Sequence, residues 1–143
     1  MMAQSVIEEA ERWIGTPYRH AASRRGVSCD CLGLVRGIWR ALYGCEPERI
    51  MPYAADWGEV SKDDPLLEAA ERHLIKRDMS DPQPGDLLVF RWRENTAAKH
   101  LGIMTYENRF IHAYEGHSVM TSALVPQWRK RIAGIFIFPE RKL

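Results

Sequence analysis

Apolar positions recur with a helical period in the first half of the chain and a strand-like period in the second. Ile7, Ala10 and Ile14 fall at helical spacing, and Ser5 with Glu8 three residues later reads as a capping box. Gly15 and Pro17 stop that helix. A second helix is expected from about Cys31 to Tyr43. Leu34, Val35, Ile38 and Leu42 share one face, Asp30 caps the start and Gly44 ends it. Gly33 and Gly37 each cost about 1 kcal/mol relative to Ala in a helix, so close approach of another element to that face is expected. A third helix is expected around Pro65–Leu74, with Asp64 as its cap and Pro65 in its first turn.

Farther on, Pro82-Gln83-Pro84-Gly85-Asp86 is a turn, and Leu87–Trp92 reads as a buried strand. Leu101–Tyr106 and Arg109–Tyr114 read as a hairpin around Glu107-Asn108, and Gly134–Phe138 as a last strand closed by Pro139. Helices followed by antiparallel strands signal an α+β domain. There is no internal repeat, low-complexity tract or linker, so residues 1–143 are read as one domain.

Composition removes several function classes. Hydrophobic residues at 45% and charged residues at 27% are globular values, which excludes collagen-like, coiled-coil and disordered chains. Lys+Arg 20 against Asp+Glu 19 leaves a net charge of +1, so nothing recommends nucleic acid as a partner. No apolar run reaches the roughly 18 residues of a membrane span, so no membrane insertion is expected. The stretch from Met1 to Glu9 lacks a basic and then apolar leader, which sets the expectation of synthesis in the cytoplasm without a signal peptide. Cys29, Cys31 and Cys45 are too few, and odd in number, for a disulfide scaffold, so reduced thiols are expected.

Cys31 stands where a turn becomes a helix. The unpaired N–H groups and positive dipole end there stabilise a thiolate, so its pKa is expected well below the ~8.5 of a free thiol. A buried packing cysteine is the alternative. His100 and His112 supply what a nucleophilic thiol needs. They are 12 positions apart, so a three-residue loop, Tyr106-Glu107-Asn108, places them on one face of the hairpin. A two-residue Glu107-Asn108 loop places them on opposite faces. In a Cys–His–His set His100 is the base, within about 4 Å of the sulfur, and His112 orients its ring. A zinc site from Cys29, Cys31, His100 and His112 is a weaker reading, because Cys-x-Cys is not the usual ligand spacing.

Five short segments in order carry a resemblance: Thr16-Pro17-Tyr18-Arg19, Asp30-Cys31-Leu32-Gly33-Leu34-Val35, Gln83-Pro84-Gly85-Asp86, His100-Leu101-Gly102-Ile103 and Phe110-Ile111-His112-Ala113. Over about Ala10 to Phe138 the chain resembles the NlpC/p60 family of papain-like cell-wall peptidases. Its basic segment before the cysteine and Phe90-Arg91-Trp92-Arg93 look most like the branch associated with phages and gene transfer agents. The resemblance implies a papain-like fold, with N-terminal helices packed on an antiparallel sheet and the nucleophile at a helix start. It implies a cysteine peptidase that hydrolyses peptidoglycan stem peptides, without a cofactor or a metal. By the same resemblance Cys31 is the nucleophile, His100 the base and His112 the third member. Tyr18 helps bind the oxyanion beside the Cys31 backbone N–H. Asp30 matches an acidic residue that meets a substrate amine, although a plain helix N-cap explains it equally well. Leu32 stands where the family usually has Ser, in the substrate subsite, and so bears on specificity.

Two other readings stay open: a non-catalytic tail-assembly or plug domain, and an acyltransferase using the same Cys–His pair. Delivery in a phage-like particle, bound to tail proteins, is the expectation that goes with the missing leader. Trp128-Arg129-Lys130-Arg131 is the candidate contact for glycan or tail protein, unless its charges are simply solvated. Cys29 and Cys45 are read as packing residues. His20 is either near the cleft or an exposed turn residue, and nothing recommends His73 or His117.

Overall fold

A buried stripe of Met2, Val6, Ile7 and Ala10 joins helix α1 (Met2–Arg12) to the core of the computed structural model. The structure describes residues 1–48 and 64–141. The expected capping box is not formed. The helix begins at Met2, and the Ser5 hydroxyl, inside the first turn, donates to the Met1 carbonyl at 3.3 Å. Ile14 is 47% exposed, and Trp13, at 2%, fills the interior position instead, because the helix has ended at Arg12 and the chain turns before Ile14.

A two-stranded ribbon, β1 (Ser23–Arg24) and β2 (Ser28–Cys29), leads into helix α2 (Cys31–Tyr43). Asp30 caps α2 by accepting from the Gly33 N–H at 2.7 Å, and Gly44 closes it with φ of 89°. The two glycines do mark close approach. A Cβ on Gly33 would lie 1.8 Å from the Ala22 carbonyl oxygen, and one on Gly37 would lie 2.0 Å from Trp13 Cζ2. Helix α3 (Pro65–His73) has Asp64 at its N-cap position, but the Asp64 side chain makes no capping bond. Its Oδ1 accepts from the Ala98 N–H at 2.9 Å, which ties the helix start to the loop before the central hairpin.

The remaining strands, β3 (Ile75–Arg77), β4 (Leu87–Phe90), β5 (His100–Met104), β6 (Arg109–His112), β7 (Met120–Ala123) and β8 (Ile132–Ile137), form one sheet in the order β3-β8-β4-β5-β6-β7. Every pairing is antiparallel. A four-residue helix α4 (Pro126–Arg129) lies between the last two strands. With α1, α2 and α3 on one face of an antiparallel sheet and only the short α4 on the other, this is the α+β architecture expected. Strands β3 and β7 have no counterpart in the sequence reading.

Side chains alternate across the sheet. Leu87, Val89, Leu101, Ile103 and Ile111 join the core formed with the helices. Leu88, Phe90, Met104, Phe110 and Ile135 form a second core on the opposite face, closed by Leu124 and Trp128. The β5–β6 register pairs Ile103 with Ile111 and Met104 with Phe110, and the Thr105 N–H donates to the Arg109 carbonyl. The loop is therefore Tyr106-Glu107-Asn108, with Glu107 and Asn108 both left-handed at φ of 61° and 56°. His100 and His112 thus share the face of the second core.

Candidate active site

Three local structures converge on Cys31. The segment before the ribbon is laced to Cys29: the Cys29 N–H donates to the Pro17 carbonyl, and the Arg19 N–H to the Cys29 carbonyl, each at 3.0 Å. This holds Tyr18 beside the start of α2. Asp30 is only 3% exposed, and its two oxygens accept from the Gly33 and Ala21 N–H groups at 2.7 Å each. It therefore fastens the turn to the helix, as the N-cap reading holds. The third structure is the start of β5, where the Lys99 carbonyl lies 3.9 Å from the Cys31 sulfur.

Tyr18, Cys31, Trp92, Lys99, His100, Ala113, Tyr114 and Glu115 line one open cleft of about 490 Å³. Leu32 does not line it. Its side chain packs on the helix-side core and borders a separate apolar groove with Val35, Trp39 and Leu66. His20 stands 3.8 Å from Asp30 on the exposed side and is not a cleft residue. Cys29 is fully buried in the helix-side core, which leaves the zinc reading without that ligand.

The histidines form a relay. Nε2 of His100 lies 2.8 Å from Nδ1 of His112, and Nε2 of His112 lies 2.8 Å from the Ser122 hydroxyl. The sequence reading missed Ser122 because β7 itself was missed; its short Met-Thr-Ser-Ala stretch has no apolar alternation. Aromatic rings enclose the relay. The Trp92 indole stacks on His100 with ring centroids 5.3 Å apart, and Trp128 packs against both histidines. Trp128 is thus half-buried within the second core, and the expectation of an exposed docking aromatic there is corrected: its indole covers Phe90 and Phe110. His117 stacks on Tyr114, with the ring planes 7° apart.

One electronic expectation is also corrected. Burial pushes the Cys31 thiol up to about 12, and the nearby Asp30 carboxylate adds to the shift, against the opposing pull of the Leu101 and Leu32 backbone N–H groups. Desolvation outweighs the helix start. Among the described residues no hydrogen bond joins Cys31 to His100, and the Cys31 sulfur lies 3.9 Å from the Lys99 carbonyl. The cysteine packs on the helix-side core and His100 lies on the other face of the sheet, and both border the cleft at the start of β5. Burial lowers His100 well below the ordinary histidine value, helped by His112, and brings His112 down to about 4. Tyr18 is raised to about 12, first by burial and then by Cys31, so it stays a donor. Each of these shifts favours the uncharged form of its group.

The NlpC/P60 family profile matches residues 15–136, from the end of α1 to the last strand. The chain belongs to the NlpC/P60 family. It is 32% identical over 118 residues to the probable endopeptidase NlpC of Escherichia coli K12, covering 82% of this chain and 65% of that protein. It is 28% identical over 129 residues to the murein DD-endopeptidase MepS/murein LD-carboxypeptidase of the same strain, covering 88% of this chain and 57% of that one. The chain thus spans about two thirds or less of the length of these curated relatives. The NlpC/p60 domain of peptidoglycan hydrolase SagA superimposes with a TM-score of 0.66 at 23% identity, over 95% of this chain and 98% of that domain. The papain-like fold expected from the sequence is the fold found.

Proposed function

We propose that this domain is a cysteine peptidase that hydrolyses amide bonds in peptidoglycan stem peptides. The observation that carries the proposal is the joining of Cys31, His100 and Tyr18 in one cleft, with His112 behind His100. The relatives named as murein endopeptidase and peptidoglycan hydrolase support the substrate class.

The relay supports one assignment of the acting nitrogen. Nε2 of His100 faces His112, so Nδ1 is the atom left for the thiol. A lone pair on Nδ1 requires the proton on Nε2, which is then donated to His112 Nδ1. His112 in turn carries its proton on Nε2 and donates it to Ser122. With substrate bound, the Cys31 sulfur attacks the scissile carbonyl carbon as His100 Nδ1 takes the thiol proton. Tyr18 and the Cys31 N–H donate to the oxyanion. His100 returns the proton to the leaving amine, and water then attacks the thioester, giving up a proton to His100 and releasing the acid and the thiol.

Purified peptidoglycan incubated with the protein should release stem-peptide fragments visible by mass spectrometry, and Cys31→Ala should release none. Equal release by both proteins would overturn the proposal; an amine-trapped product without hydrolysis would make it an acyltransferase. Delivery in a phage-like particle, in contact with tail proteins, is the second part of the reading, supported by the basic phage-branch segments. Particles purified from a producing strain should contain this chain. Its absence from them, with a pool in the periplasm of cells that make no particles, would end that part alone.

A further inference from the structure

A second hollow of about 480 Å³ adjoins the cleft, lined by Arg91, Trp92, Arg93, Glu94, Lys130 and Arg131. Four cations against one acid is a local excess in a chain whose net charge is +1. The fold forces them together. Past the bulge at Val89/Phe90, the Arg91 N–H donates to the Arg131 carbonyl at 2.8 Å, so two arginines stand side by side where β4 ends and β8 begins. Like charges directly opposite each other on a sheet are destabilising unless something neutralises them. Arg91 has Asp64 at 3.5 Å and the Thr96 carbonyl at 2.6 Å. Among the described residues no carboxylate pairs with Arg93, Lys130 or Arg131, and the Arg131 guanidinium instead rests 5.8 Å from the centre of the Trp92 ring.

Trp92 is the wall shared by both hollows, and the indole that stacks on His100 is the one that carries Arg131. An anion held in the basic hollow therefore sits beside the reacting centre. We infer that the hollow is a subsite for a free carboxylate on the peptide whose amide bond is cut at Cys31. This rests on the hydrolase reading above and deepens it. Guanidinium groups bind carboxylates with paired N–H donors, and the Trp92 face supplies an apolar wall for the chain carrying the carboxylate. Because the hollow is open, its electrostatic contribution is salt-sensitive.

The test uses a synthetic stem tetrapeptide and its fully amidated counterpart, measured by calorimetry on the full chain and by turnover. The acid should bind about tenfold more tightly than the amide, and the preference should shrink as salt rises. In Arg93→Glu/Lys130→Glu the preference should vanish, with KM for the acid about tenfold higher and kcat within about twofold. Arg93→Gln/Lys130→Gln should show an intermediate loss. Equal binding of acid and amide by the unaltered protein, at low and high salt, would overturn the subsite. So would a charge reversal that weakens both peptides alike. A glycerol-phosphate oligomer that binds in a reversal-sensitive way while the peptide acid does not would likewise overturn it, in favour of a wall-polymer phosphate. Failure of the hydrolase reading is separately visible: the acid and amide then bind differently, but neither is cut.

Discussion

Nε2 of His100 and Nδ1 of His112 lie 2.8 Å apart across a hairpin in which His112 pairs with a different residue of the neighbouring strand. Continuing the β5–β6 register of Ile103 with Ile111 places Gly102 opposite His112. A Cβ on Gly102 would lie 2.8 Å from Phe110 Cδ2 and 3.5 Å from His112 Cβ. The missing side chain lets the His112 ring lean diagonally to His100.

The relay should be graded along its length. His112→Ala removes the group that holds the base, and kcat should fall about 100-fold, within the range for a positioned acid–base group. Ser122→Ala leaves His112 Nε2 without its partner, at about 1 kcal/mol and therefore about a fivefold loss of kcat with KM unchanged. Ser122→Thr, which keeps the hydroxyl, should recover most of that loss. Steady-state kinetics on a stem peptide checks all three.

Activity should persist on the acid side. His100 is neutral well below the ordinary histidine value, so the acid limb of kcat/KM should lie below about pH 6.5. A pH–rate profile that halves near pH 6.5 or above would contradict a buried, neutral base.

Stability should depend on pH in the opposite sense to a salt-bridged histidine. In the unfolded chain His112 titrates near about 6.5, while burial lowers it to about 4 in the fold. Between those values the unfolded state binds more protons, so stability rises with pH and is lost as pH falls through that window. The loss from His112 is about 3 kcal/mol by pH 4. Thermal melts from pH 7.5 to 4.5 should show Tm falling on the acid side, with a flatter dependence in His112→Gln.

The thiol should be quiet until substrate arrives. Burial and Asp30 hold Cys31 protonated, and Cys29 is raised to about 12 by burial, whereas Cys45 is exposed. Iodoacetamide near neutral pH should label Cys45 first and Cys29 last. Asp30→Asn removes the neighbouring charge and should speed labelling at Cys31. The same change keeps an oxygen for the Gly33 N–H but sets an amide NH2 against the Ala21 N–H, at a cost of about 1–3 kcal/mol. Peptide mapping after timed labelling separates the three cysteines.

Close packing on α2 should be intolerant of a methyl group. Gly33→Ala drives its Cβ into the Ala22 carbonyl oxygen, a backbone atom that can move only with the ribbon. Gly37→Ala meets the edge of the Trp13 ring. Each should destabilise by about 1–3 kcal/mol as overpacking, despite the better helix propensity of Ala. Denaturant titration gives the magnitudes, and Gly33→Ala should be the worse.

Helix α2 was legible to the residue because its information is local: a capping carboxylate, a periodic apolar face and a left-handed glycine lie within one stretch. The even spacing of His100 and His112 was legible too, but only the hairpin register chose the three-residue loop that puts them on one face. Strands β3 and β7 escaped. Ile75 and Lys76 are exposed on one edge, and Met120 and Ala123 on the other, so neither strand shows an apolar alternation to read. With β7 went Ser122. By itself the sequence determined which residues are the nucleophile, base and orienter candidates and in what order they come, since motifs of short range carry that information. Only the tertiary structure decided their protonation, the turn of the thiol to the Lys99 carbonyl, and the gathering of Arg91, Arg93, Lys130 and Arg131 around Trp92. Those depend on desolvation and on contacts between distant segments, which no local pattern encodes.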